Sequence, residues 1–184
     1  LLETEQILRV WLKIVPDYTV IFTRLVIINV LIDCISGPLM TAAQASGKIK
    51  LYQSVVGGLL ILNLPISYLF LKFGFQPQVT IFVSIGISIL ALMLRLLILR
   101  NLVKLKIENF FYQVILKITI VGIFAVIIPL LFSIFMDISI HRFIIVILTS
   151  IISSLSVIFL LGLSNDEKNY FVNGLKKLKA HIIQ

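Results

Sequence analysis

Polar and ionisable side chains recur at helical spacing inside an apolar stretch that runs from Asp17 to Lys48. Asn29 is followed by Asp33, Ser36 and Gln44 at offsets of 4, 7 and 15 residues, which places all four on one face of an ideal helix. An ionisable group in an apolar segment costs roughly 2.5–3.5 kcal/mol on insertion and therefore indicates a functional site. We interpret Asp33 as facing a watered cavity or a partner on another helix.

Arg24 lies in the same stretch, nine residues before Asp33 and about half a turn away, so the two are not expected to pair. Arg24 either lines the same cavity or extends its guanidinium towards the membrane surface near Asp17. Further along, Asn63 and Ser67 share a helix face. Arg95 ends a stripe of small residues that is typical of close helix packing, and we expect it to reach the membrane surface. The candidate substrate-contacting residues are Arg24, Asn29, Asp33, Gln44, Asn63 and Arg95.

Catalytic and metal-binding patterns are not found. His141 and His181 are too far apart to suggest a metal site, and the single cysteine, Cys34, excludes an internal disulfide framework. Ala45-Ser46-Gly47-Lys48 lacks the upstream glycine of a phosphate-binding loop. We predict a protein that is not an enzyme and that needs neither a metal nor a cofactor.

The elements that position these residues follow from composition. The chain is 60% hydrophobic and 13% charged, with a net charge of +8, whereas a soluble domain is about 25% charged. Basic residues that interrupt apolar runs indicate a membrane protein rather than a nucleic-acid binder. Four stretches without a formal charge contain 21, 22, 19 and 23 residues, and about 20 are needed to cross a bilayer as a helix.

The predicted fold is therefore all-α, a polytopic bundle of about five transmembrane helices. The predicted spans cover residues 17–43, 52–72, 78–99, 112–135 and 142–163. Tyrosines near the span ends suit an interfacial aromatic belt, namely Tyr18, Tyr52, Tyr68 and Tyr112. Residues 1–16 form an extracytoplasmic segment. Residues 164–184 form a cytoplasmic tail, predicted to be an amphipathic helix on the lipid surface with a Ser164–Glu167 capping box, or else a frayed terminus.

The basic residues set the orientation. Alternate connections and the tail carry 11 Lys and Arg, and the opposite side carries 4. By the positive-inside rule the richer side is cytoplasmic, which puts the end of the chain inside. The sequence begins Leu1-Leu2-Glu3 without an initiator Met, and we expect an upstream lobe of the same protein.

Residues 11–74 carry a resemblance in several ordered pieces. Pro16-Asp17-Tyr18 comes first, Ala45-Ser46-Gly47-Lys48 follows in a predicted cytoplasmic loop, Asn63-Leu64-Pro65 stands in the next helix, and Gly74 lies at its outer end. This set resembles bacterial polysaccharide (O-antigen-type) flippases of the multidrug/oligosaccharidyl-lipid/polysaccharide exporter superfamily. The resemblance implies that the chain is part of the C-terminal lobe of a larger inner-membrane transporter.

The resemblance also implies a function and a mechanism. The cargo would be an undecaprenyl-pyrophosphate-linked oligosaccharide for surface polysaccharide such as lipopolysaccharide, moved by alternating access. Arg24 would contact the anion, and Asp33 and Asn29 would make sugar or coupling contacts. The expected partners are this lipid-linked oligosaccharide, the bilayer and the missing N-terminal lobe, with no nucleic acid.

Three alternatives stay open. The first is a drug/cation antiporter of the same superfamily, which would rely on acidic cavity residues and which Arg24 disfavours. The second is a membrane-embedded acyl- or glycosyltransferase, which would need a catalytic His or Asp pair in the missing part. The third is a membrane subunit that serves only for packing.

Overall fold

The computed structural model describes residues 1–12, 14–170 and 173, and across these residues the chain is helical with no strand. The helices, in chain order, are α1 (Thr4–Trp11), α2 (Thr19–Ala45), α3 (Ile49–Ile61), α4 (Asn63–Lys72), α5 (Val79–Val103), α6 (Ile107–Phe110), α7 (Lys117–Phe135) and α8 (Ile140–Val157). Two π-helical segments, Phe111–Leu116 and Ile158–Gly162, join α6 to α7 and extend α8. The all-α prediction is confirmed.

Five helical stretches are long and apolar enough to cross a membrane. They are Thr19–Ala45, Tyr52–Lys72, Val79–Val103, Ile107–Phe135 and Ile140–Gly162. The fourth stretch begins at Ile107, five residues before the predicted start at 112. Its first helical turn therefore includes the charged Glu108. Between 6% and 17% of each stretch's most apolar window is buried inside the chain, so most of the apolar surface is left for lipid or for further protein.

The chain divides into two compact units, and the first is built from Glu3–Glu108. In this unit α5 packs against α2, α3 and α4. The contact surfaces use small residues: Ala43 of α2 and Ala91 of α5 are fully buried, and Ser36 and Ser88 are nearly so. Small side chains let helix backbones approach closely, which is how helices associate where lipid already solvates the larger apolar groups.

The tyrosines predicted to form an aromatic belt behave in two ways. Tyr18, Tyr68 and Tyr112 are exposed, as residues of such a belt would be. Tyr52 differs, since its side chain is only 2% exposed and its hydroxyl has no hydrogen-bond partner among the described residues. The side chain of Tyr52 therefore packs within the first unit.

The second unit begins at Asn109 and is organised around α7 and α8, which pack against each other. The hydroxyl of Ser153 donates to the carbonyl oxygen of Ala125 at 3.0 Å. At the turn between the helices, Ser139 accepts a hydrogen bond from the backbone N–H of Arg142 and so caps α8. The guanidinium of Arg142 donates to the carbonyl oxygens of Ser133 and Met136, both at 3.4 Å, where α7 ends. A cation here satisfies carbonyls that lack a partner within the helix.

The predicted capping box of the tail is confirmed at the start of the helical residues 165–170. The backbone N–H and the hydroxyl of Ser164 both donate to Oε2 of Glu167, at 2.7 and 2.8 Å. These bonds, with a smaller effect from the positive charge of Lys117, hold the pKa of Glu167 below its ordinary value of 4.5. The predicted amphipathic helix beyond this turn lies outside the described residues.

Replacement of Ser164 by Ala is expected to raise the pKa of Glu167 towards 4.5, because the hydroxyl donor is lost. The pKa is depressed in the folded state, so this cap stabilises the helix above pH 4.5 and loses its effect as the pH falls through the lower folded value. An NMR titration of the Glu167 carboxyl group in the wild type and in Ser164→Ala measures the two pKa values. Asn165→Ala, one residue along, is the control, and an unchanged pKa in Ser164→Ala would contradict the prediction.

Candidate functional site

A groove of about 480 Å³ lies in the first unit between α2, α4 and α5, and we call it the polar groove. Six of its lining side chains carry uncharged hydrogen-bonding groups: Asn29, Asn63, Ser67, Tyr68, Thr80 and Ser84. The remaining lining residues are the apolar Val26, Leu64, Leu71 and Ile81. The polar groove thus combines apolar walls with a few hydrogen-bonding groups inside predicted membrane spans, which is the usual make-up of a small-molecule site.

The polar groove reaches from one end of the spans towards their middle. Thr80 and Ser84 lie in the first turns of α5. Asn29 is ten residues beyond the start of α2 at Thr19, or about 15 Å of helix rise, and Asn63 is nine residues before the end of α4 at Lys72, or about 14 Å. A hydrocarbon layer about 30 Å thick that begins at these helix ends would have its midplane near both asparagines.

A break in the second span determines where Asn63 lies. Pro65 has no backbone N–H, so the carbonyl of Ile61 cannot receive the regular helical hydrogen bond from it. The chain leaves the helix for one residue at Leu62, between α3 and α4, and Asn63 is the first residue of α4. The proline thus separates the span into two helices and puts an asparagine at the start of the second.

Hydrogen bonds hold the polar side chains of the groove in place and leave one buried acceptor without a partner. The Ser67 hydroxyl donates to Oδ1 of Asn63 at 3.2 Å. The amide nitrogen of Asn29 donates to Oδ2 of Asp33 at 3.4 Å, while Oδ1 of Asn29 is buried and has no partner within the described part of the chain. A buried acceptor without a partner carries a desolvation penalty.

Two of the six predicted site residues, Asn29 and Asn63, line the polar groove. Asp33 is exposed and contacts the groove only through its hydrogen bond with Asn29. Arg24 and Gln44 are exposed on α2 outside the groove. Arg95 is half-buried on α5, also outside it, and its Nε atom is shielded from solvent.

The geometry separates residues that the helical wheel of α2 placed together. Ser36 was predicted on the face of Asn29, Asp33 and Gln44, yet it is 4% exposed, whereas Asp33 and Gln44 are exposed. Arg24 and Asp33 form no ion pair with each other in the described structure, in agreement with their predicted separation.

Sequence reasoning missed Thr80 and Tyr68 as groove residues and assigned Ser84 to helix packing. One signal was present: Thr80 and Ser84 are four residues apart, the same offset as Asn63 and Ser67. Tyr68 alone carried no such signal, because its position near a span end equally suits an interfacial aromatic residue.

The functional groups that line the polar groove are amides and hydroxyls. None of its lining residues is a carboxylate, a histidine, a cysteine or a lysine. Across the described residues, no three His, Cys, Asp or Glu side chains lie close enough together to hold a metal ion. Amides and hydroxyls both donate and accept hydrogen bonds, which matches the hydroxyl groups of a carbohydrate.

Taken together, the fold and the polar groove define an α-helical, membrane-embedded protein with a hydrogen-bonding groove between three of its helices. No protein-family model, no curated protein and no solved structure matches the chain.

Proposed function

We propose that the chain is part of a transporter that moves a lipid-linked oligosaccharide, of the undecaprenyl-pyrophosphate type, across the bacterial inner membrane for surface polysaccharide synthesis. The observation that carries the proposal is the polar groove, with six uncharged hydrogen-bonding side chains at membrane depth. A chain of neutral sugars presents many hydroxyl groups, and each one that leaves water needs a replacement hydrogen bond. The resemblance of residues 11–74 to polysaccharide flippases supports the same cargo.

The pyrophosphate of such a cargo needs a cation, and the polar groove contains none. Arg24 is five residues before Asn29 on α2, which is about 7.5 Å of helix rise and about 140° around the helix axis. Its side chain is exposed and makes no hydrogen bond or ion pair among the described residues, so the long guanidinium would have to reach around α2 towards the groove. A planar guanidinium binds phosphate oxygens through paired hydrogen bonds. In the proposed mechanism Asn29 and Asn63 contact sugar hydroxyls, Arg24 contacts the pyrophosphate, and the site opens alternately to the two sides of the membrane.

One observation favours a second function, a drug/cation antiporter. Asp33 is an exposed carboxylate within a membrane-spanning helix, and no basic side chain pairs with it in the described structure. A carboxylate without a cationic partner in a span is a site for a proton or an organic cation. The two functions differ in the charge of the cargo, which makes them separable in cells.

Disruption of the gene in the bacterium that carries it is expected to abolish surface polysaccharide, because the cargo stays on the cytoplasmic face. Undecaprenyl-linked oligosaccharide should accumulate at the same time, and extraction with mass spectrometry measures it. A strain that loses polysaccharide without accumulating the lipid-linked intermediate has a defect in synthesis, which would contradict the proposal.

Restoration with variant genes separates the candidate functions. The wild-type gene and Arg24→Lys should restore polysaccharide, the lysine with lower efficiency, whereas Arg24→Ala should not, although its protein reaches the membrane. Asp33→Asn should be tolerated by a flippase that uses Asp33 only as a hydrogen-bond acceptor for Asn29. Normal polysaccharide in the disrupted strain, together with raised sensitivity to cationic drugs that Asp33→Asn fails to correct, would favour the antiporter.

A further inference from the structure

A second groove of about 460 Å³ lies where α5 ends and α6 begins, and we call it the basic groove. Its lining residues are Arg100, Lys104, Leu105, Lys106, Ile107 and Glu108. Three positive charges and one negative charge thus surround one concave space. The groove is separate from the polar groove, with which it shares no lining residue.

The backbone forms the basic groove through an unusual residue conformation. Lys104 has φ 54° and ψ 37°, the left-handed region, and both its N–H and that of Leu105 point back to the carbonyl of Leu99. Helices often end in this way, but the left-handed position is usually glycine, because a Cβ atom is crowded there. A lysine in this position adds strain that a glycine would avoid, and the reversal it produces brings Lys104 and Lys106 to the same concavity as Arg100.

The three cations of the basic groove have no partner of their own. Within the described part of the chain, the side chains of Arg100, Lys104 and Lys106 make no hydrogen bond and have no carboxylate oxygen within 4 Å, that of Glu108 included. Cations on the cytoplasmic side are expected of any membrane protein. The positive-inside rule accounts for the presence of these cations, but it requires neither a groove around the cations nor a strained backbone at Lys104.

The position of the groove indicates what binds there. Its residues begin at the last turn of the candidate membrane span Val79–Val103, so the groove lies at the depth of the lipid headgroups. The apolar Leu105 and Ile107 line it beside the cations. A phospholipid carries both matching groups: its phosphate oxygens would pair with the cations, and its acyl chains would pack against the apolar side chains.

We propose that the basic groove binds an anionic phospholipid, with the headgroup phosphate held by Arg100, Lys104 and Lys106 and the upper acyl chain against Leu105 and Ile107. Phosphatidylglycerol is the simplest lipid of this chemistry. Free phosphate shares the same oxygen chemistry but would not use the apolar wall. The proposal is independent of the cargo that the polar groove transports.

Quenching by brominated lipid tests the proposal. Val103, exposed at the end of α5, is replaced by Trp in a Trp11→Phe background, so that the one tryptophan reports beside the groove. In reconstituted vesicles, dibrominated phosphatidylglycerol is expected to quench it more strongly than dibrominated phosphatidylcholine. Lys104→Gly should lower this preference about fivefold, the effect of one cation near a lipid surface, without loss of folding, because glycine suits the left-handed position.

Three comparisons decide the outcome. Glu108→Gln should increase the preference for phosphatidylglycerol, and the control Lys48→Gln/Lys50→Gln, which removes two cations outside the groove, should leave it unchanged. Equal quenching by the two lipids, or equal loss in the control and in Lys104→Gly, would overturn the proposal. Displacement of brominated phosphatidylglycerol by inorganic phosphate, but not by chloride of the same ionic strength, would identify free phosphate as the ligand and overturn the lipid assignment.

Discussion

Leucine in place of both Asn29 and Asn63 is expected, under the proposed function, to reduce oligosaccharide export about a hundredfold, with each single variant lowering it roughly tenfold. A hydrogen bond between an amide and a cargo hydroxyl contributes about 1 kcal/mol, and leaving the hydroxyl unpaired in the groove costs about 1–3 kcal/mol. Leucine suits a membrane helix and resembles asparagine in size, so the spans should still insert. Surface polysaccharide per molecule of membrane-embedded protein is the quantity to measure.

The matched control for this pair is Gln53→Leu. Gln53 is an exposed amide in the same membrane span as Asn63, but it does not line the polar groove. Export by Gln53→Leu should equal that of the wild type. If the double variant at Asn29 and Asn63 exports at the wild-type rate while present at the wild-type level, the groove is not the route of the cargo.

Replacement of Ala91 by Leu is expected to destabilise the first unit by about 1–3 kcal/mol, the usual effect of forcing extra methylenes into a packed contact. Ala91 is fully buried on α5, with Ser88 and Ile87 on the same helix also buried. The larger side chain has no space unless α5 moves away from a neighbouring helix. Unfolding by an anionic detergent, followed by circular dichroism, measures the change.

Met93→Leu, two residues along α5, is the control for the packing prediction. Met93 is 56% exposed and faces away from the buried surface, so its replacement should change the unfolding midpoint little. Equal stability of Ala91→Leu and Met93→Leu would show that the contact of α5 with its neighbours is not close-packed.

The helical fold could be predicted because it depends on quantities that a single sequence contains. Uninterrupted apolar length identifies a span, and offsets of three or four residues identify neighbours on one helix. The hydrogen bonds from Ser67 to Asn63 and from Asn29 to Asp33 both join residues four apart, as the helical wheel predicted. The capping box is equally local, because it joins Ser164 to Glu167, three residues further along the chain.

The membership of the polar groove could be predicted only in part, because it depends on how helices rotate and slide against one another. Asn29, Asn63 and Ser84 come from three different helices, and their relative depth and rotation are set by the packing of α5 with α2 and α4. The burial of Tyr52 and of Ser36 has the same origin. The spacing of residues within one helix does not predict how that helix is rotated or shifted against its neighbours.

The absent hydrogen bond at Ile61 has a mechanical consequence. A helix resists bending through its chain of backbone bonds, and the span Tyr52–Lys72 lacks one of them where Pro65 has no N–H to donate. The span is therefore least stiff at Leu62, so that a lateral force bends it there first. Tyr52 is buried on one side of that point and Asn63 and Ser67 lie on the other. A bend at Leu62 would therefore tilt Asn63 and Ser67, and with them this wall of the polar groove, relative to Tyr52.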